Sequence, residues 1–393
     1  MNRERFVLHL NVADFAVAVE RVADRSLQEK PVIVASLQAV RATVYDMSNE
    51  AYNDGVRKGM PLREAVRLCR SARLLRPRPE FYKKAMKAFA GQARTYSPVL
   101  EPGRGDGHLF LDITGTHRLI GTPPDVGWRL RKQVRKNLDI DPIWSVGGNK
   151  LVAKVASRVV KPAGEYIVSP GEEESFLAPL PLFFLPGILP RERGRLQEFN
   201  IGRIGELAAL EKEQLYSVFG KRAEMLYNLS RGKDDQPVLP QENKPPAICR
   251  EYTFPGDSGD RTFVEGVVAA LAVRIGFVLR EAGMTGRRLV LLLGYGDGGS
   301  AARQISPVHG VSDDFNLQSL ALVLLERAWN RRVRISRCRL SCERLQRTSP
   351  QLSLFSVPVG SDRKKEQLQP ALDRLRKKFG IDSVRFASQV GLS

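Results

Sequence analysis

The stretch from Phe6 to Glu20, which reads FVLHLNVADFAVAVE, is the feature that most constrains the fold. Between Phe6 and Val12 both alternating sets of residues are mostly apolar, which predicts a strand that is covered on both faces. The residues that follow lead to Glu20 and Arg21, whose charges are typical of a helix surface. The pattern therefore predicts a buried strand that runs directly into a helix.

Composition limits the classes of protein that fit this sequence. With 393 residues, of which 42% are hydrophobic and 27% charged, the chain suits two to four compact globular units. The 62 Lys and Arg residues exceed the 43 Asp and Glu residues, and the formal net charge of +19 favours a polyanionic partner over a merely soluble basic surface. No apolar run reaches about 18 residues and the start does not resemble a signal peptide, so we expect a cytoplasmic protein without membrane contact. The scattered cysteines predict reduced thiols rather than zinc ligands.

Other segments carry motifs with a definite order. Residues 145–164, SVGGNKLVAKVASRVVKPAG, read as the end of a strand followed by a helix, and residues 48–56 predict a short helix before a turn at Gly59. The proline-rich stretch 237–246 predicts a linker. Beyond it, periodicity predicts the order βαββαβ, with elements at 247–254, 261–282, 287–295, 300–306, 312–330 and 331–340.

Together these segments resemble the Y-family (UmuC/DinB-like) translesion DNA polymerases over about residues 5–386. The resemblance implies an α+β multidomain fold with a right-hand-like architecture, whose little-finger domain lies against DNA. It assigns the chain to a palm at 1–179 with fingers inserted at about 21–77, a helical thumb at 180–236, a linker at 237–246, a little-finger domain at 247–347, and a clamp-binding motif with a helical tail at 348–393.

The positions that bind metal in this family have lost their acids. The resemblance places Asn11 where the family has an aspartate that binds two magnesium ions, and Gly107 and His108 where it has an adjacent aspartate and glutamate. Magnesium takes oxygen ligands in near-ideal octahedral geometry, and an amide, a glycine and an imidazole do not supply them. We therefore expect no metal and no other cofactor at this site.

Displaced acids are the alternative, and with them magnesium would be required. The candidates are Asp14, Asp106 and Asp112. Asp14 follows Asn11 at an odd offset and Asp106 is one residue from Gly107, so in regular geometry both point to other faces. A rescue of the site would need a bulge or a shift in register.

The family's nucleotide contacts have also changed. Ala16 stands where an aromatic residue excludes the ribose 2′-hydroxyl, and Asn49 and Tyr52 stand where a tyrosine and an arginine hold the triphosphate. An asparagine and a phenol cannot supply the guanidinium fork that matches phosphate oxygens. Lys154 aligns with a lysine that contacts the triphosphate in the family, although a solvated helix lysine would look the same.

The segment that most strongly indicates binding of nucleic acid is RRVRISRCRLSCERLQR at 331–347, with seven arginines and one glutamate. A bulge near Ser336 would bring two pairs of arginines to one side of the predicted strand. Such a row can follow phosphates with salt-dependent affinity that does not depend on sequence. A charge-guarded edge strand is the alternative. The candidate DNA-binding residues are Arg332, Arg334, Arg337 and Arg339.

Residues 351–355, QLSLF, match the pentapeptide QLxLF by which bacterial polymerases and repair proteins bind the sliding clamp. Gln351 would form backbone-type hydrogen bonds, while Leu352, Leu354 and Phe355 would be apolar anchors in a groove. The alternative is a short edge strand packed on its own domain. A helix at 362–379 follows, with Leu368, Leu372, Leu375 and Phe379 along one stripe.

The departures from the family concentrate at the metal ligands, the nucleotide contacts and the steric gate, a pattern that looks like the catalytically silent ImuB-type proteins. The resemblance therefore implies a non-catalytic protein that binds primer-template or damaged DNA and the sliding clamp, and supports translesion synthesis and DNA repair by an error-prone partner polymerase in the DNA damage response. A weak, error-prone DinB-type DNA polymerase is one alternative. A DNA-binding protein without a role in synthesis is the other.

Overall fold

The computed structural model describes residues 4–37, 42–103, 105–240, 247–348, 360–384 and 386. The chain divides into two compact units, and each has its own hydrophobic core. Unit 1 comprises Met1–Leu37 and Ala42–Lys244, and unit 2 contains Pro245–Ser393.

Unit 1 is a mixed α/β unit followed by a helical segment. Its elements in chain order are β1 (Val7–Asn11), α1 (Phe15–Ala23), β2 (Val32–Ala35), β3 (Val44–Met47), α2 (Asn49–Asn53), α3 (Leu62–Leu68), β4 (Arg73–Leu75), α4 (Pro79–Ala93), β5 (Leu100–Pro102), β6 (His108–Asp112), α5 (His117–Ile120), α6 (Pro123–Leu138), β7 (Ile143–Gly147), α7 (Lys150–Val159), β8 (Glu165–Ile167), α8 (Glu173–Leu177), α9 (Pro190–Glu198), α10 (Ile204–Ala208), α11 (Lys212–Phe219) and α12 (Ala223–Ser230).

The main sheet of unit 1 has the strand order β5-β6-β1-β7-β8, and β1 pairs antiparallel with both β6 and β7. All five residues of β1 are buried, which agrees with the strand predicted from its apolar sequence. Leu8 and Leu10 pack on the side of α4 and α6, whereas Val7 packs with Ala153 of α7 on the other side. Helices therefore cover both faces of the sheet, and alternate residues of β1 face different helices.

Helix α6 lies unusually close to the sheet because it carries a glycine at the contact. A Cβ atom on Gly127 would come within 2.3 Å of Cε3 of Trp144 in β7, so a larger residue would push the helix away. Val126, Leu130 and Val134 bury the same face of the helix. This contact fixes the rotation of α6 about its axis, and hence the residues that it presents to solvent.

A second sheet in unit 1, of order β3-β2-β4, carries α2 and α3. Its links to α1 are polar as well as apolar. Asp46 of β3 accepts a hydrogen bond from the amide of Ala16 over 2.9 Å, in the first turn of α1. The carboxylate thereby satisfies a free helix N–H and opposes the positive end of the helix dipole.

Unit 2 contains β9 (Ile248–Ser258), α13 (Arg261–Glu281), β10 (Met284–Tyr295), β11 (Ser300–Ile305), α14 (Asp314–Ala328), β12 (Ile335–Arg347) and α15 (Gly360–Phe379). The sheet has the order β11-β10-β12-β9, and α13 and α14 cover one face. The βαββαβ order is the one that periodicity predicts. Helix α13 is long and apolar enough to span a membrane, but most of it is buried, as in an ordinary core helix.

The last strand begins later than its sequence predicts. Residues 331–334 lie in a bend, where Arg331 forms an ion pair with Asp297 of the β10–β11 turn over 2.6 Å. The strand itself runs from Ile335 to Arg347, because its pairing with β10 continues as far as Met284↔Arg347. The prediction of a strand at 331–340 was therefore wrong at both ends.

The C-terminal helix α15 packs on unit 2 through polar side chains. Arg376 and Asp314 are both 0% exposed and form an ion pair over 2.5 Å, while Arg280 pairs with Asp373 over 2.7 Å. Gln369 also accepts a hydrogen bond from the amide of Asp314. Three members of the predicted apolar stripe stay exposed instead: Leu368, Leu375 and Phe379.

Candidate functional site

The structure brings the three degenerate metal positions together at one end of the main sheet. Asn11 ends β1 and lies opposite His108 of β6 in the antiparallel register, and the amide of Val12 donates to the carbonyl of Gly107 over 3.0 Å. Asn11 is only 1% exposed, and its amide nitrogen has no hydrogen-bond partner among the described residues. The three positions that were aligned with the family's metal ligands are therefore neighbours in the structure, although each has lost its acid.

Gly107 has a backbone that does not suit a side chain. Its φ of +78° is in the left-handed region, and a Cβ atom would lie 2.7 Å from the carbonyl oxygen of Val12 and 2.8 Å from Cβ of Phe15. An aspartate at this position would therefore require the local backbone to move.

His108 forms a buried pair with His9. Nε2 of His9 lies 3.1 Å from Nδ1 of His108, and Nδ1 of His9 lies 2.8 Å from the hydroxyl of Ser157. That hydroxyl donates to the carbonyl of Lys154 over 2.9 Å, so it accepts from Nδ1–H of His9. His9 Nε2 must then accept from Nδ1–H of His108. The His9 ring also stacks on Phe110 with 4.3 Å between centroids.

Both imidazoles are neutral near pH 7. Burial lowers the pKa of His108 to about 4, against the opposing charge of Asp106. Burial also holds the pKa of His9 well below its usual 6.5, and His108, Lys154 and Lys161 act in the same direction. The acid position of the family is therefore occupied by an uncharged ring that is already hydrogen-bonded.

Lysines provide the positive charge around this end of the sheet. Burial lowers the pKa of Lys154, and the charge of Asp106 partly opposes that shift. Burial likewise lowers the pKa of Lys161, with nearby Lys58 adding to the effect. Lys58 forms an ion pair with Asp46 over 2.8 Å. The predicted residue Lys154 is therefore close enough to His108 to lower its pKa, while its contact with a triphosphate stays a prediction.

The remaining acids are divided between this site and other positions. Burial, and then the charge of Asp46, raise the pKa of Asp14 to about 6. Asp106 accepts a hydrogen bond from the amide of His108 over 3.3 Å. Asp112 lies at the opposite end of β6 from His108. There it pairs with Arg5 over 3.8 Å and accepts a hydrogen bond from the amide of Thr114 over 3.0 Å. Asp112 is therefore not a replacement ligand, which corrects that part of the polymerase alternative.

Magnesium does not fit the residues at this end of the sheet. The three positions offer one amide, one bonded imidazole and one glycine without a side chain, whereas magnesium requires several oxygen ligands. Lys58, Lys154 and Lys161 lie near His108 and repel a dication. Within the described residues, no group of three or more His, Cys, Asp or Glu side chains is placed to hold a metal ion.

The predicted nucleotide contacts lie on α1 and on α2, the short helix beside the second sheet. Ala16, at the position of the family's aromatic residue, is buried in α1. Asn49 is the first residue of α2, with Ser48 as the cap. The exposed ring of Tyr52 lies 3.8 Å below the guanidinium of Arg57, which also donates to the carbonyl of Tyr52 over 2.7 Å. A guanidinium is therefore present beside position 52, supplied by a different residue.

All four candidate DNA-binding arginines are exposed in unit 2. Arg337 and Arg339 share the outer face of β12, and Glu251 of β9 lies beside them, 2.5 Å from Arg339 and 4.0 Å from Arg337. The pairing of β12 with β9 shifts register between Ile335 and Arg337, next to Ser336, where a bulge would be needed to align the arginines. Arg332 and Arg334 precede the strand, and their alignment with the other pair stays a prediction.

The clamp-motif residues Gln351, Leu352, Leu354 and Phe355 lie outside the described residues. Sequence reasoning missed His9, Asp46 and Lys161 as members of the site. A histidine in an otherwise apolar strand and an aspartate in VYDM were the available signals, since a polar residue in a buried strand requires a partner.

Comparison with known proteins identifies the family of this chain. The model of the impB/mucB/samB family matches residues 10–158, and the model of the C-terminal domain of the same family matches residues 245–354. The chain belongs to this family of Y-family, DinB- and UmuC-like proteins.

Relatives of this Y-family chain align over nearly its whole length. A protein named DNA polymerase IV from Dehalococcoides mccartyi is 31% identical over 385 residues, which cover 97% of this chain and 96% of the relative. Another DNA polymerase IV, from Halorhodospira halophila, is 31% identical over 355 residues, covering 90% of this chain and 99% of the relative.

Solved structures agree with the fold. A Y-family DNA polymerase chimera, Dbh-Dpo4(243-245)-Dbh, matches with a TM-score of 0.76 at 20% identity, covering 87% of this chain and all of the chimera, 100%. DinB from Sulfolobus solfataricus matches with a TM-score of 0.60 at 21% identity, over 86% of this chain and 98% of that one. The predicted α+β multidomain, Y-family architecture is confirmed.

Proposed function

We propose that this Y-family protein binds primer-template DNA and does not transfer nucleotides at the position of the family's metal site. The observation that carries the proposal is the set of groups at that position: the buried amide of Asn11, the neutral His108 and the backbone of Gly107. These groups do not provide the anionic oxygens that two-metal phosphoryl transfer requires.

Contact with DNA is supported by the charge of the chain and by the exposed arginines of unit 2. A formal net charge of +19 attracts nucleic acid over a distance. Arg337 and Arg339 on one strand face are suited to phosphates and not to base recognition, so binding would depend on salt and little on sequence. The names of the relatives are compatible with DNA as the partner.

The more specific role that we propose is assistance to another enzyme. QLSLF at 351–355 would bind the sliding clamp, and an error-prone partner polymerase would extend past the lesion while this chain contacts the DNA. Damaged DNA, the DNA damage response and a cytoplasmic location belong to the same proposal. A protein that binds DNA without any role in synthesis would lack the clamp contact.

A weak DinB-type polymerase is the second candidate, and the comparisons favour it over the first. Relatives that match 97% of the chain carry the name DNA polymerase IV. Asp14, Asp46 and Asp106 are the acids that remain near the site. Catalysis would have to depend on some of these, with magnesium, after a rearrangement that the present geometry does not contain.

Primer extension separates these two candidates. The purified chain is incubated with undamaged and abasic templates, all four nucleotides, and magnesium or manganese. We expect DNA binding without incorporation. Template-directed incorporation that is lost in Asp14→Asn, Asp46→Asn or Asp106→Asn would establish the polymerase instead, whereas incorporation that none of these changes affects would identify a contaminating enzyme. The matched control is Asp112→Asn, at the far end of β6.

Clamp capture tests the proposed partner. Immobilised bacterial sliding clamp should retain the wild-type chain and lose the variant Gln351→Ala, Leu354→Ala, Phe355→Ala. Leu375→Ala removes an exposed apolar side chain from the same unit and is the matched control. Equal retention of all three proteins would exclude QLSLF as the contact, and no retention of any of them would favour the simple DNA-binding protein.

A further inference from the structure

A cleft of about 640 Å³ opens on the outer side of α6, away from the sheet. Residues 139–141, in the connection to β7, line one part of it, and the helix contributes five side chains: Trp128, Arg131, Lys132, Arg135 and Lys136. Neither the site at Asn11 nor the proposed DNA-binding arginines account for this cleft. Its composition is that of a site that combines one aromatic ring with several cations.

The exposed ring is set by the packing of the helix. Gly127 allows α6 to touch Trp144, and the buried side chains of Leu130 and Val134 continue that face. Successive helix residues are rotated by about 100°, so Trp128 turns away from the core. Trp128 is 53% exposed, so one part of its ring is open to a ligand in the cleft.

The charges of the cleft do not cancel. Its two carboxylates are already engaged, Asp139 by Arg25 over 3.4 Å and Asp141 by both arms of Arg131 over 2.7 and 2.9 Å. Lys132 lies 5.0 Å over the ring of Trp128. In the part of the chain that the structure describes, neither Lys132 nor Lys136 has an ion-pair partner. The cleft thus joins a half-exposed indole to two uncompensated ammonium groups.

We propose that this cleft, named here the Trp128 cleft, binds single-stranded nucleic acid. One base stacks on the free face of the Trp128 indole, and the neighbouring phosphates bind Lys132 and Lys136. These lysines are one helical turn apart, about 6 Å along the axis, which suits two successive phosphates. Stacking on an aromatic ring combined with phosphate contacts is the usual mode for single strands, and it tolerates any base.

Helix stabilisation alone does not explain this arrangement. Cations in the last turn of a helix oppose its dipole, which accounts for Arg135 and Lys136 near the end of α6. That effect falls off within one turn and does not extend to Lys132 or to an exposed Trp128. Duplex DNA is a poorer fit, because its bases are stacked on each other and not available to an indole.

The Trp128 cleft is separate from the site at Asn11. Leu130 and Val134 of α6 pack on the face of the main sheet that carries Leu8 and Leu10. His9 instead contacts Ser157 of α7, on the opposite face. Substitutions in the cleft can therefore be tested without altering the residues that the proposed function depends on.

Tryptophan fluorescence tests the stacking contact directly. Oligo(dT) of twelve nucleotides is titrated into the full chain, and binding is followed both by tryptophan quenching and by anisotropy of a labelled strand. Trp144 is buried but Trp329 of unit 2 is only partly buried, so the titration is done in a Trp329→Phe background, where quenching is expected to come chiefly from Trp128. Trp128→Phe should lose the quenching while it keeps most of the affinity. Trp128→Ala should weaken binding at least about fivefold, as expected when one stacked base is lost.

The lysines are tested by salt dependence. Lys132→Ala with Lys136→Ala should reduce the slope of log affinity against log salt by about 1.4, which is 0.7 for each lost phosphate contact on a single strand. Lys84→Ala with Lys87→Ala removes the same charge from exposed positions of α4 and is the matched control. This control should leave the quenching by oligo(dT) unchanged.

Two results would overturn the proposal. The first is an affinity for oligo(dT) that is the same in the wild type, Trp128→Ala and the double-lysine variant. The second is displacement of oligo(dT) by poly-glutamate of equal charge as effectively as by unlabelled oligo(dT), which would identify a docking surface for an acidic protein. Thermal unfolding of each variant checks that the fold is kept, and Trp128→Phe serves if Trp128→Ala does not fold.

Discussion

Gly107 and Val12 are so close that a Cβ atom on Gly107 would lie 2.7 Å from the carbonyl oxygen of Val12. The acids of the family therefore cannot be restored by changing side chains alone. Asn11→Asp and His108→Glu introduce carboxylates within the present backbone, but an aspartate at position 107 does not fit. The backbone around position 107, and not only its residue type, therefore prevents a carboxylate from being placed there.

This relationship predicts that Gly107→Ala destabilises unit 1 by more than the cost of its positive φ. Gly115 is the matched control, since its φ of +74° is similar and a Cβ atom on it would meet no other atom within 4 Å. Gly115→Ala should cost about 1–2 kcal/mol. Gly107→Ala should cost about 1–3 kcal/mol more, because of the additional clash. Urea unfolding measures both, and equal values would show that the neighbours of Gly107 relax to accommodate a side chain.

Asp14 predicts a stability that depends on pH. Its pKa is about 6 in the folded chain against a usual 3.8, so the folded state holds the extra proton between these values. Stability from this group is present at low pH and is lost as pH rises through about 6. Asp14→Asn removes the buried charge and should stabilise the chain by about 1–3 kcal/mol at pH 7.5.

The same variant should have little effect at pH 4, where the wild-type carboxyl is protonated and resembles an amide. Urea unfolding at both pH values provides the comparison within one pair of proteins. A gain that is equal at pH 4 and pH 7.5 would show that the charge of Asp14 is not its cause.

His108 predicts the opposite dependence. Its pKa is about 4 in the folded chain against a usual 6.5, so the unfolded chain binds the extra proton between these values. Stability from the neutral ring is complete above about pH 6.5 and is lost as pH falls towards 4. His108→Gln should therefore reduce the dependence of the unfolding free energy on pH by up to about 1.4 kcal/mol per pH unit.

His117→Gln, at an exposed position of the same unit, is the matched control for that change. Unfolding is measured at half-unit intervals from pH 4.5 to pH 7. If both variants alter the slope equally, the buried pair of His9 and His108 does not cause the dependence.

Arg337 and Arg339 predict the salt dependence of duplex binding. Arg337→Ala with Arg339→Ala should lower affinity for primer-template DNA uniformly across sequences and reduce the salt slope by about 1.8, or 0.9 for each contact. Glu251→Gln should raise the affinity, because Glu251 lies 2.5 Å from Arg339 and competes with phosphate. Fluorescence anisotropy at several salt concentrations measures all three proteins, and a loss of affinity in Glu251→Gln would contradict this role of the pair.

Much of the fold was predictable because its signals are local. The apolar alternation around Leu10 and the βαββαβ pattern of unit 2 correspond to the observed elements. Strand ends were less predictable, since β12 continues to Arg347 only because β10 is available to pair with it.

The site was predictable only in its replaced residues. The hydrogen bond between His9 and His108 joins residues 99 positions apart and depends on the register of β1 and β6, which sequence spacing does not specify. The contact of Asp46 with the amide of Ala16 likewise depends on how the second sheet meets α1. The conformation of Gly107 has no signal beyond the glycine itself.

The buried ion pair of Arg376 and Asp314 bears on where the C-terminal domain of this family ends in this chain. The family match stops at residue 354, but Arg376 lies in α15 and completes the packing of α14. A fragment that ended at 354 would remove Arg376 from Asp314 and Asp373 from Arg280, so that Asp314 would keep only Arg280, 2.9 Å away, and we expect this fragment to be less stable. The ion pairs of α15 therefore extend the stable C-terminal domain beyond the end of the family match. A fragment for study on its own should include α15 and extend at least to residue 384.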